Sequence, residues 1–133
     1  MKSVDFIVKY YRVDDGKRRT CSSIVKGGDG TIFSYGEHYP LLFVVNGYNV
    51  RNIQGYSVTT AKHIAWAGSL PSFIYDVKLL NSDYSPEAVR ISLIAEMAEI
   101  RDTLNAKKRK DTKIFKEMHA RYLEAKRALN AIF

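Results

Sequence analysis

The spacing of apolar residues changes once along this chain, near Asp83. Ahead of it, short apolar runs alternate with polar positions and all eight glycines occur. Beyond it, "SPEAVRISLIAEMAEIRDTLNAKKRKDTKIFKEMHARYLEAKRALNAIF" contains no glycine and repeats its apolar residues at steps of three and four. The pattern predicts a mostly β segment followed by helix. "VDFIVKYYRV" (Val4 to Val13) and "RTCSSIV" (Arg19 to Val25) read as strands flanking "DDGKR", with Asp15-Gly16 as their hairpin turn, because glycine accepts the positive φ that such turns require. "GGDG" turns the chain into "TIFSY", and "PLLFVVNG" and "YNVRNIQGYSV" supply further strands around a second turn dipeptide, Asn46-Gly47. Tyr56 and Val58 alternate with Ser57 and Thr59 as a strand end. Thr60 is then placed as the N-cap of a short helix from Ala61, anchored by Ile64, Ala65 and Trp66 and closed by Gly68.

The second segment opens on Ser85 as N-cap, Pro86 at the first helical position and Glu87 near the positive end of the helix dipole. Leu93, Met97, Ile100 and Leu104 make one apolar stripe, and Phe115, Met118, Tyr122, Ala125, Leu129 and Ile132 make another. Between them, "NAKKRKDT" offers Asn105 as a helix end and Asp111 or Thr112 as a helix start, so a hairpin is expected. The alternative is one long helix, since the break has no glycine or proline and the step of 11 from Leu104 to Phe115 is a coiled-coil stutter. In that case a homodimer or a protein partner would bury the seam. The expected class is α+β: a small curved antiparallel sheet or partial barrel with one short helix in residues 1–83, then a helical tail in 84–133 packed on it or on a partner.

Charge adds a partner class. The chain's 133 residues carry 21 Lys and Arg against 14 Asp and Glu, a net +7, which favours an anionic partner such as nucleic acid. Two basic clusters stand out, Lys17-Arg18-Arg19 and Lys107-Lys108-Arg109-Lys110. Cys21 is alone, which excludes an intrachain disulfide and a cysteine-rich zinc site. The longest aliphatic-aromatic run is "LLFVV", and "MKSVDFIVKYYRV" alternates where a secretion signal would be continuously apolar. The expectation is a cytoplasmic protein that does not enter membranes.

Candidate chemistry gathers around "TTAKH". A helix N-terminus surrounded by Thr59, Thr60, Lys62 and His63 is a phosphate or carboxylate seat in outline, and simple helix capping explains the same residues. His38 and His63, with Lys62, are the candidates for metal-free RNA cleavage: one imidazole takes the 2′-hydroxyl proton, the other protonates the leaving oxygen, and the cation stabilises the phosphorane. The acids are scattered without a ligand pattern, so no metal and no cofactor is expected.

"IFSYGEHYPLLFVVNGYNVRNIQGYSVTTAKHIAWA", Ile32 to Ala67, resembles a family of small uncharacterised domains of bacteriophage and plasmid genes. The matching residues are Tyr35, Gly36, His38, Tyr39 and Pro40, then Tyr56, Ser57, Val58, Thr59, Thr60 and His63. Tyr39 departs from the phenylalanine more usual there. The resemblance implies a mobile-element origin, hence the host cytoplasm, and no particular activity. Three functions follow as expectations: a nucleic-acid-binding protein, an inhibitor that binds a host enzyme or defence complex, and a metal-independent ribonuclease.

Overall fold

The computed structural model describes residues 1–55 and 58–133. Helix α1 (Ser3–Tyr10) precedes strands β1 (Arg19–Cys21), β2 (Ile24–Lys26), β3 (Ile32–Ser34), β4 (Tyr39–Val45) and β5 (Tyr48–Asn52). Helix α2 (Val58–Ala67), strand β6 (Tyr75–Val77) and helices α3 (Pro86–Ala106) and α4 (Lys113–Ile132) complete the chain. The strands form one open sheet in sequential order, so the class is α+β without barrel closure. Among the described residues, no helix is long and apolar enough to cross a membrane.

Each face of the sheet is covered by helices. On one, Phe6 and Ile7 of α1 and Ala67 of α2 pack on Ile24, Ile32, Leu41 and Leu42. On the other, Val89 and Leu93 of α3 and Ala125, Ala128 and Ile132 of α4 pack on Phe43, Val45, Val50 and Val77. Strand β4 serves both clusters through a bulge. Ile32 pairs with Leu42 and Phe33 with Pro40, which leaves Leu41 without a partner on β3 and lets adjacent leucines join the same cluster.

Four expectations are corrected. The N-terminal segment expected as a strand is α1, because its buried residues are neighbours on a helix: Phe6 and Ile7 face inward with Tyr10 one turn on, the Phe6 and Tyr10 rings are 4.9 Å apart, and Val8 is exposed. A strand would have turned Phe6 and Val8 to one face. Asp15-Gly16 therefore joins a helix to a sheet; Gly16 does take φ +69°. "RTCSSIV" is a hairpin, not one strand, with Ser22-Ser23 turning between paired Cys21 and Ile24. The sheet is mixed rather than wholly antiparallel, since the connection through α2 returns β6 parallel to β5. Finally, α2 begins at Val58 and Thr60 lies inside it instead of capping it, because Thr60, His63 and Ala67 at helical spacing form its buried face. The expected strand end at Tyr56 and Ser57 lies outside the described residues.

The expected helix starts and the hairpin are observed, and α3 runs past the expected end at Asn105 to Ala106. Ser85 Oγ accepts from Ala88 N at 3.3 Å, and Thr112 Oγ1 accepts from Phe115 N at 3.2 Å. Lys107 leaves helical geometry at ψ 133°, and α3 and α4 pack as a hairpin. Its clamp is polar. Arg121 donates to both oxygens of Glu96, at 2.8 and 2.6 Å, and to the backbone oxygen of Asp76 at 3.1 Å. These side chains are 14% and 7% exposed, so removing one partner strands the other in a largely dry site. Glu96→Ala is expected to cost about 3 kcal/mol. Glu96→Leu combined with Arg121→Met should recover most of that loss, as measured by urea midpoints.

Candidate functional site

His63 lies on the inner face of α2 and is 2% exposed. Its Nδ1 is 2.5 Å from Ser34 Oγ on β3, and its Nε2 is 3.3 Å from Ser23 Oγ in the β1–β2 turn. Its ring is 5.3 Å from that of Trp66 and 6.1 Å from that of Tyr35. A hydroxyl both donates and accepts, so the two serines satisfy a neutral imidazole in either tautomer. Desolvation holds the His63 pKa below its ordinary value. His63 of α2 thus meets Ser34 of β3 and the neighbouring Tyr35.

His38 sits elsewhere. It is exposed and lines a cavity of about 680 Å³ with Tyr35, Tyr39 and Asn52, whereas His63 does not line it. The structure does not bring the two imidazoles to one open site: His63 is held inside the fold by serines, and Lys62 is exposed on α2. The general acid–base pair of the ribonuclease reading is not assembled. The anion seat changes as well, since Thr60 is fully buried and Thr59 is half-buried within the first turn. Among the described residues, no three His, Cys, Asp or Glu gather as a metal site.

The basic clusters differ in their partners. In the first, Arg19 is 3.5 Å from Asp15 and lies over the Tyr10 ring, and Arg18 is 3.7 Å from Glu37. Asp15 also takes Lys17 N–H and the wholly buried Lys26 ammonium, whose second bond goes to Lys17 O at 2.6 Å. The Lys26 hydrogen bond, then that of Lys17 N, lowers the Asp15 carboxyl pKa to about 2. This turn is tied down by Asp15. The second cluster forms the tip between α3 and α4, with Lys108, Arg109 and Lys110 exposed and Lys107 half-buried. Arg109 is 3.5 Å from Asp111, and Lys113 at the start of α4 is 3.7 Å from Glu117.

The expected partner or dimer seam closes within the chain. Leu93, Ile100 and Leu104 of α3 are buried, and Met97, Phe115, Met118, Tyr122 and Leu129 are half-buried, in the hairpin and against the sheet. The continuous helix, in which a homodimer or partner would have had to bury the whole seam, is therefore replaced by a hairpin whose two stripes pack within the chain.

What sequence reasoning missed is the opposite face of α4. Lys113, Lys116, Ala120, Leu123 and Arg127 recur at steps of 3, 4, 3 and 4 and are all exposed, with Lys126 beside them. From Lys107 to Arg127 there are nine Lys and Arg against three Asp and Glu, a net +6 beside +7 for the whole chain. Counting charge along the helix, rather than looking for a run, would have found it. Comparison with protein-family models, with curated proteins and with solved structures gave no match to this chain.

The buried neutral His63 makes stability pH-dependent. Its folded pKa lies below the 6.5 of the free side chain, so the unfolded chain takes up the proton first as pH falls. Stability is complete above the unfolded value and declines as pH drops below it. The urea midpoint is expected to fall from about pH 7.5 to about pH 5.5, with a shallower slope in His63→Gln.

Proposed function

We propose that this chain is a small nucleic-acid-binding protein of phage or plasmid origin, which contacts phosphates through the tip of the α3–α4 hairpin and the outer face of α4. The observation that carries this reading is the placement of its charge. The inner face of α4 is used for packing and its outer face presents Lys113, Lys116, Lys126 and Arg127 to solvent, continuing from Lys107, Lys108, Arg109 and Lys110 at the tip. A helix of 20 residues is about 30 Å long, so these cations span several phosphates of a strand. Helix α3 has the opposite balance, two arginines against four acids, so the charge is one-sided within the hairpin. Lys17-Arg18-Arg19 contributes less, because it is a short turn in which Arg19 is half-buried on Asp15 and the Tyr10 ring. The arm is a longer row of cations, in which Arg109 and Lys113 are paired with Asp111 and Glu117.

A protein partner is the second reading, and the exposed Ile91 and Ile94 on the outer side of α3 are the observation that favours it. Retention of the same host protein on immobilised chain after nuclease treatment would support it.

Fluorescence anisotropy with a duplex DNA and a single-stranded RNA of about twenty nucleotides, over a salt series, tests the main reading. Replacing Lys113, Lys116, Lys126 and Arg127 together with glutamine is expected to weaken binding at least about tenfold at low salt. It should also flatten the salt slope by up to about 0.9 for each phosphate no longer neutralised. Replacing Lys17 and Arg18 should change both far less. Unchanged affinity and slope in the α4 variant would overturn the proposal.

A further inference from the structure

The cavity beside His38 is separate from the phosphate-binding face and has chemistry of its own. Its volume of about 680 Å³ lies in the range of small-molecule sites. Tyr35, Tyr39, Pro40, Leu79 and Leu80 give it flat and aliphatic walls. His38, Asn52, Gln54, Asn81 and Ser82 supply the polar groups. Among the described residues, no Lys, Arg, Asp or Glu lines it. An anion entering would lose water without meeting an opposite charge, and a purely aliphatic ligand would leave amides unpaired.

The frame of the cavity is set before any ligand arrives. Asn52 Oδ1 accepts from Gln54 N at 3.0 Å and Leu79 N at 3.3 Å, which fixes the Asn52 amide and joins two walls. The Tyr39 hydroxyl lies 2.7 Å from Gln54 O and 3.0 Å from Asn52 O, and burial raises its pKa, so it stays a neutral donor. Ser82 Oγ donates to His38 O at 2.8 Å, pinning the third wall to the first. The side chains of His38 and Gln54 are exposed, which leaves them free to adjust around a ligand. A tyrosine ring such as that of half-buried Tyr35 stacks on a flat ring, and the exposed amides of Gln54 and Asn81 can pair with a ring edge that carries both donors and acceptors.

We infer that this cavity binds a neutral planar heterocycle of the nucleobase type, either as a free nucleoside or as an unstacked base of a strand. The strand form rests on the nucleic-acid reading of α4; the nucleoside form does not. The test uses the uncharged nucleosides adenosine, guanosine, cytidine and uridine, followed by calorimetry and ligand-observed NMR, with p-cresol as a ring lacking the polar edge. At least one nucleoside is expected to bind saturably, more tightly than p-cresol, and with little salt dependence because it has no phosphate. Leu80→Trp, at an exposed position on the wall, should fill the space and weaken binding at least about tenfold without lowering the melting temperature. Gln54→Ala should weaken it severalfold. The α4 glutamine variant should bind nucleosides normally, so failure of the α4 reading is seen separately. A 2-aminopurine oligonucleotide distinguishes the two sources: a fluorescence change reversed by nucleoside assigns the base of a strand, and none assigns the free nucleoside. Absence of nucleoside binding at millimolar concentration, p-cresol binding as tightly as any nucleoside, or full binding in Leu80→Trp would overturn the inference.

Discussion

Asp76, on the edge strand β6, is bound from both sides of the sheet. Its carboxylate receives Arg51 Nε and Nη2 at 2.8 and 2.9 Å, and the third nitrogen of that arginine donates to Ile64 O in α2 at 3.0 Å. Its backbone oxygen receives Arg121 of α4, which grips Glu96 of α3. Two planar guanidinium groups thereby connect β5, β6, α2, α3 and α4 through one residue. A lysine in either place would supply charge without the fork that reaches two partners at once. The β6 ladder turns the Val77 oxygen toward Ile53 N just past β5, so Asp76 O points to the open edge, where Arg121 occupies it.

The position of the α3–α4 hairpin follows from this tie. The core shared with the sheet draws on α3 up to Met97 and on α4 from Ala125. Glu96 and Arg121 sit at that limit, and the farther halves of both helices, with Ile100 and Leu104 buried, pack as an arm ending in the Lys107–Lys110 tip. Apolar residues are concentrated on the inner stripe of α4, so cations accumulate on its outer face. The same covalent pattern that closes the hairpin therefore segregates the charge.

How far this was legible in the sequence depends on the range of the forces involved. Ser85-Pro86 and Thr112 act within one turn, and Asn46-Gly47 needs only its own φ values of 50° and 86°, so helix starts, hairpin and turn could be read directly. Helix α1 could not, because its β-branched and aromatic residues fit a strand by propensity, and only burial against α2 and the sheet selects the helical face. The split of "RTCSSIV" into a hairpin and the return of β6 parallel to β5 are likewise decided by tertiary pairing. His63 and Lys26 look like surface residues in sequence, and their partners, Ser34 and Asp15, are 29 and 11 positions away. The cavity joins residues from Tyr35 to Ser82 and has no local signature.

Under the proposed function, phosphates meet the arm and not the N-terminal turn. Lysine acetylation rates measured by mass spectrometry, with and without saturating duplex DNA, test it directly, since an ammonium held on phosphate reacts slowly. The account predicts protection of Lys108, Lys110, Lys113, Lys116 and Lys126, with Lys17 and Lys62 reacting as in the free protein. Protection confined to Lys17 and Lys62, with the arm unchanged, would contradict it.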